Sequence, residues 1–282
     1  MSDAFLIEPD ALEARLGTEN LRVLDCSWAI PEAGRNPRTD FEAAHIPGAQ
    51  FFDLDRASDP DSPHPNMMPS GAHFGTYVGA LGIDAGCQIV LYDDSYVSAR
   101  VWWMFRSFGH DRVRILNGGW KRWKAEGRPI AQGAPETPEP AFFPIRNQPR
   151  GIAGWEEIRD ALEQGAQVVD ARSPDRFSGT MDSGYPGVAG GHMPGAVNLP
   201  WQVMLPQSGD FTFLPPADAE AAFRAAGIDP SQPVLSTCGS GVTAAILVFQ
   251  LARLGRAARL YDGSWHEWGQ RDDLPRISEG VS

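Results

Sequence analysis

Lysine is nearly missing from this chain. Of 24 basic residues only Lys121 and Lys124 are lysines, and 36 acidic residues bring the formal charge to −12. That deficit argues against a nucleic-acid partner, because phosphate binding needs clustered Lys or Arg. Cysteine is scarce as well. Cys26, Cys87 and Cys238 are odd in number and far apart, with no C-x-x-C pair and no histidine at ligand spacing. The pattern fits free thiols in a reducing compartment better than a disulfide framework or a metal site, so no metal is expected. The start, "MSDAFLIEPDALEARLG", lacks a basic stretch leading into an apolar core, and no uninterrupted apolar run approaches the roughly 20 residues a spanning helix needs. A soluble, cytoplasmic protein without a membrane partner is expected.

What the chain does have is length, apolar content and a repeat. At 282 residues and 42% apolar it can build one large or two medium domains. The blocks "LRVLDCSW", "AHIPGAQFFDLD", "QIVLYDD", "ARVWWMFRSFGH" and "RILNGGWKRW" recur in the same order as "AQVVDARS", "GHMPGAVNLPW", "PVLSTCGS", "AAILVFQLARLGR" and "ARLYDGSWHEW". A period near 145 residues means two domains of one fold, not a solenoid of short repeats. The expected division is residues 1–130, a proline-rich stiff connector at 131–150, and residues 151–282.

Within each half, short β-rich runs alternate with helical patterns: Arg22 to Asp25, Gln88 to Asp93 and Val113 to Leu116, then Gln167 to Asp170, Pro233 to Thr237 and Ala257 to Tyr261. This alternation predicts an α/β fold in which each domain is a central parallel sheet flanked by helices. Ligands of such sheets sit beyond the carboxyl ends of the strands. Cys238 falls there.

The repeat also serves as an internal control, since a feature in both halves is most simply scaffold. His45 and His192 open matching H-x-P-G turns, and Trp120, Trp123, Trp265 and Trp268 match as packing residues. At the strand-to-helix joint, however, "YDDSYVSARVWW" faces "STCGSGVTAAIL", so Cys238 has Asp93 or Asp94 as its counterpart. Gly239 and Gly241 permit positive φ and close backbone approach, letting successive N–H groups form an anion-binding nest. A helix beginning near Val242 adds its N-terminal partial positive charge, and Ser240 and Thr243 can donate hydroxyls. Such surroundings favour the nucleophilic thiolate. Cys26 and Cys87 have no glycine-lined helix start behind them and read as buried, structural thiols.

Together, "HIPGAQFFDLD", "RVWWMFRSFGH", "GHMPGAVNLPW", "CGSGVTA" and "ARLYDGSWHEW" resemble the two-domain rhodanese-like sulfurtransferases across nearly the whole chain. The resemblance implies tandem rhodanese-like domains, the first lacking the cysteine and the second catalytic. Cys238 would take sulfur from a small-molecule donor, hold it as a persulfide within Gly239, Ser240, Gly241, Val242 and Thr243, and pass it to cyanide or a thiol. No cofactor is implied. The thiol acceptor would be a thioredoxin-like protein or a low-molecular-weight thiol.

Members using thiosulfate typically carry basic residues directly after the cysteine. Gly239 and Ser240 look instead like the 3-mercaptopyruvate type, in which the serine helps polarise or deprotonate and arginines hold the donor's carboxylate. Arg176 matches the first arginine, and Asp55 matches an aspartate of the first half. Two positions depart from the pattern. Tyr185 stands where a second arginine is usual, and Asn66 where a histidine is usual, with His64 two residues earlier. Either His64 substitutes for that histidine or the serine relay is absent and the donor differs. The competing readings are a thiosulfate sulfurtransferase and a non-catalytic sulfur-binding or interaction module. Phosphatases of this fold need a longer loop ending in arginine. A thiol hydrolase needs a histidine base, which nothing in the sequence places beside Cys238.

Overall fold

Apolar runs of four or five residues, buried along most of their length, form the middle of each half, while glycines and prolines mark where they stop. The structure, a computed structural model, describes residues 3–30, 33–146, 149–206, 209 and 212–279. It divides into two compact units: Met1–Pro60, Met68–Arg150 and Pro206–Phe213 in the first, and Asp61–Met67, Gly151–Leu205 and Leu214–Ser282 in the second.

The first unit contains β1 (Leu6–Ile7), α1 (Pro9–Glu13), β2 (Leu21–Asp25), α2 (Pro37–Ala43), β3 (Gln50–Phe51), α3 (Leu54–Ala57), α4 (Gly71–Ala80), β4 (Gln88–Tyr92), α5 (Ser98–Ser107), β5 (Val113–Leu116) and α6 (Gly119–Ala125). The second contains β6 (Ile152–Ala153), α7 (Trp155–Glu163), β7 (Gln167–Asp170), α8 (Pro174–Ser178), β8 (Val197–Asn198), a 3₁₀ turn at Trp201–Met204, α9 (Pro216–Ala225), β9 (Val234–Thr237), α10 (Ala244–Arg253), β10 (Ala258–Tyr261) and α11 (Ser264–Trp268). Each sheet has five strands, in the orders β1-β5-β4-β2-β3 and β6-β10-β9-β7-β8. Every pairing is parallel. The expected α/β class is therefore met in both halves. The differences lie at the margins: β4 ends at Tyr92, just before Asp93, α10 starts at Ala244, two residues past Val242, and β1, β3, β6 and β8 are two-residue strands too short to carry a pattern.

Register identifies equivalent positions. Asp25 pairs with Tyr92 as Asp170 pairs with Thr237, so the residue after each central strand, Asp93 or Cys238, is the same place in the fold. The following helices agree, since Trp120 N–H donates to the carbonyl of Asp93 (2.8 Å) and Trp265 N–H to that of Cys238 (2.9 Å). Asp93, not Asp94, is the counterpart.

Helix α10 is buried from Ala244 to Leu251, so its apolar residues face the sheet and the covering elements together. At roughly 1.5–3 kcal/mol for each large side chain buried, this anchors the helix whose first turn borders Cys238. The four tryptophans are core residues, as expected, each with a relative exposure of 8% or less. His45 and His192 each set a ring nitrogen 2.8 Å from a carbonyl, of Phe41 and Phe177 respectively, and stack on those rings. Both are turn residues with satisfied rings. Residues 131–146 belong to the first unit, where Ala141 N–H donates to Gly79 O on α4 (2.9 Å) and a side chain added at Gly79 would strike the Ala141 carbonyl. The segment expected as a connector is thus extended chain laid along a glycine face. Among the described residues no helix is long and apolar enough to cross a membrane.

Candidate active site

Six residues, Cys238 to Thr243, join β9 to α10. The Cys238 side chain is 1% exposed and Ser240 5% exposed. Gly241 takes a φ of 77°, the left-handed conformation that lets the chain double back into the helix. Thr243 makes no side-chain cap, so the first amides of α10 are not closed off by the hydroxyl of their own cap residue.

Helix α11 holds the loop from behind. Trp265 N–H donates to Cys238 O (2.9 Å) and His266 N–H to Gly239 O (2.8 Å). In a trans peptide the next N–H points opposite its carbonyl, so the amides of Gly239 and Ser240 are turned away from α11. Cys238 N–H itself donates to Ser264 Oγ (3.2 Å), whose hydroxyl donates on to Tyr261 O (2.8 Å). Ser264 does this at a φ of 51°, where the first unit has Gly119 at 52°. A non-glycine residue accepts that strain here because its hydroxyl supports the cysteine's backbone.

The first unit has a loop at the same place in the fold, Asp93 to Val97, one residue shorter than Cys238 to Thr243. There the Asp93 carboxyl accepts from Ser95 N–H (3.0 Å) and from Ser98 N–H, the first residue of α5 as Ala244 is the first of α10. A carboxyl group takes the backbone amides of the loop in one half; the other half places Cys238 at that position. Burial pushes the Asp93 carboxyl up despite these bonds.

Around the loop stand residues from distant parts of the second unit. Asn66, buried and at a φ of 60°, donates from Nδ2 to Ser240 Oγ (3.0 Å). Tyr185 brings its hydroxyl so close to Gly239 that a Cβ there would lie 2.9 Å away. One residue earlier, a Cβ at Gly184 would lie 2.8 Å from an Arg176 guanidinium nitrogen. Among the described residues Arg176 has no carboxylate partner, unlike Arg172, which is buried on Asp170 (2.6 Å). His64 reaches His266, not Ser240: the two Nδ1 atoms are 3.1 Å apart, and His64 Nε2 is 4.0 Å from Glu267 Oε1. Of the two residues, Asn66, in its αL turn, makes the contact with Ser240, and His64 lies against His266. Asp55 belongs to the first unit, where its carboxylate accepts from Trp28 Nε1 (2.9 Å). Cys26 and Cys87 are buried, and burial pushes both thiols up, Cys26 additionally through the charges of Asp93 and Asp25.

Three neighbours went unrecognised in the sequence: Ser264, His266 and Glu267. The repeat held the signal, since "GSWHEW" differs from "GGWKRW" at these three positions only, and of the two between the tryptophans His266 holds the loop through its amide.

Comparison with known proteins agrees with this geometry. The model of the rhodanese-like domain matches residues 8–126 and 154–271. The mouse 3-mercaptopyruvate sulfurtransferase is 42% identical over 278 residues, covering 96% of this chain and 93% of that protein. The mouse thiosulfate sulfurtransferase is 40% identical over 276 residues, covering 95% and 91%. Among solved structures, SseA from Escherichia coli, described as a 3-mercaptopyruvate sulfotransferase, superposes with a TM-score of 0.84 at 32% identity over 94% of this chain and 99% of its own.

Proposed function

Because the chain belongs to the rhodanese-like sulfurtransferases, we propose that its sulfur donor is 3-mercaptopyruvate and that Cys238 carries the sulfur as a persulfide. The observation that carries the donor assignment is the contact of Tyr185 with Gly239: no cation follows the cysteine, and the space such a side chain would enter is taken by a phenol. A dianion such as thiosulfate has little to bind there.

The chemistry follows from the groups present. The Cys238 thiolate attacks the donor's sulfur, the carbon–sulfur bond breaks, and its electron pair leaves as the enolate of pyruvate. The proton of the donor's S–H group ends on the enolate carbon, so the products are pyruvate and an anionic persulfide. Charge develops on the keto oxygen during this step. Ser240 suits that oxygen, because Asn66 fills one of the hydroxyl's acceptor sites and leaves its single hydrogen to point elsewhere. The serine thus acts as a polarising donor, not as a base. Arg176 pairs with the carboxylate. The persulfide, a diffuse anion, rests on the loop amides until a thiol, of low molecular weight or on a thioredoxin-like protein, attacks the outer sulfur and releases the Cys238 thiolate.

The similarity to thiosulfate sulfurtransferases supports the second reading. Initial rates with each donor at equal concentration, using cyanide and a small dithiol as acceptors, separate the two. A kcat/KM at least about tenfold higher for 3-mercaptopyruvate is expected. Equal or greater efficiency with thiosulfate contradicts the assignment.

A further inference from the structure

His64 and His266 meet beside the loop in an arrangement that dictates its own protons. The Gln270 side-chain nitrogen contacts both the His266 carbonyl and His266 Nδ1 (3.0 Å). A carbonyl only accepts, so this atom is the amide NH₂ and His266 Nδ1 must be an acceptor. The facing nitrogen, His64 Nδ1, is then the donor across 3.1 Å. On the other side of that ring, Glu267 Oε1 lies 4.0 Å from Nε2. His266 is consequently neutral, with its hydrogen on Nε2. Burial and the neighbouring charge of His64 both hold its pKa below the usual histidine range. Among the described residues that Nε2–H has no partner in the protein, and it is not a buried orphan.

Its location gives it a target. The His266 amide holds Gly239 O, the ring packs edge-on against Tyr185 at 4.9 Å, and the His64–Asn66 turn runs from His266 to Ser240. The usual second arginine is absent here and Tyr185 occupies its place. We propose that His266 Nε2–H, fixed in its tautomer by His64 and Gln270, is the second anchor of the donor's carboxylate, opposite Arg176. His266 is a substrate-binding residue in this scheme, and His64 and Gln270 position it. The proposal rests on the mercaptopyruvate reading.

The test compares KM and kcat for 3-mercaptopyruvate in wild type, His266→Phe and His266→Gln. Phenylalanine keeps the ring against Tyr185 and removes the donor; glutamine places an N–H near the site of Nε2. Phenylalanine should raise KM about tenfold or more, with a smaller fall in kcat, and glutamine should recover most of the loss. An unchanged KM in His266→Phe, or an equal rise in both variants, overturns the proposal. An independent reading uses imidazole ¹⁵N shifts of the wild-type protein: the proton is expected on Nε2, and the Nε2 shift should move on adding pyruvate. A proton on Nδ1, or no movement at saturating pyruvate, also overturns it. If wild type transfers no sulfur from 3-mercaptopyruvate, the donor reading fails, and the pyruvate titration alone decides His266.

Discussion

At the scale of single residues, the direction of one hydrogen bond separates this site from a serine–histidine relay. Asn66 donates to Ser240 Oγ, so the serine hydrogen is available to an enolate oxygen. Asn66→Asp reverses that direction in nearly the same shape. A carboxylate can only accept, so it would draw the hydroxyl hydrogen to itself and set a negative charge beside an anionic donor. Aspartate tolerates the left-handed backbone, so folding should survive. The variant is expected to lose about tenfold to hundredfold in kcat/KM for 3-mercaptopyruvate, a charge-assisted bond being worth roughly 1.5–3 kcal/mol. Steady-state kinetics with a melting curve as the folding control check this; unaltered kinetics would remove Ser240 from the chemistry.

At the scale of elements, the two halves repeat the strand–loop–helix joint with opposite contents, and the same is true of the strand ends beside it. Asp170, at the end of β7, is neutralised by Arg172. Its equivalent Asp25, at the end of β2, has Ser27 two residues on, and burial raises its pKa to about 6. An acid whose folded pKa lies above its unfolded value stabilises the fold below about pH 4 relative to higher pH, and that contribution is lost as pH rises to about 6. Asp25→Asn should therefore stabilise the protein at pH 7 by up to about 3 kcal/mol, with the advantage vanishing near pH 4. Denaturant melts at both pH values measure it; equal gains at both would show that the carboxyl is not held protonated.

The same elements explain what was legible in advance. The central strands and the Cys238 loop announce themselves by apolar runs bounded by glycine, and the 145-residue repeat marks their equivalence. Asp93 and Asp94 could not be told apart without register, because adjacent acids look alike until one strand pairing fixes the frame. His266 was hidden between two tryptophans that both halves share, and its significance depends on His64, 202 positions away in sequence. Contacts of that range leave no local pattern. The resemblance already put Asn66 where a histidine is usual, but whether Asn66 or His64 meets Ser240 depends on the left-handed turn at Asn66, which leaves no mark in the sequence.

At the scale of the whole molecule, the repeat supplies two copies of one strand–loop–helix joint, and only one carries a thiol. Asp93 occupies that joint in the first unit, and the proposed function gives Cys238 the reactive use of it in the second. The claim that matters most is that sulfur passes through Cys238 and no other thiol. Intact-mass and peptide mass spectrometry after incubation with 3-mercaptopyruvate, without an acceptor, tests this directly. One added sulfur atom, located on Cys238 and lost on adding a small thiol, is the expected result, with no adduct in Cys238→Ser because an alkoxide is far harder to form than a thiolate. Added sulfur on Cys26 or Cys87, or turnover that persists in Cys238→Ser, would contradict the account.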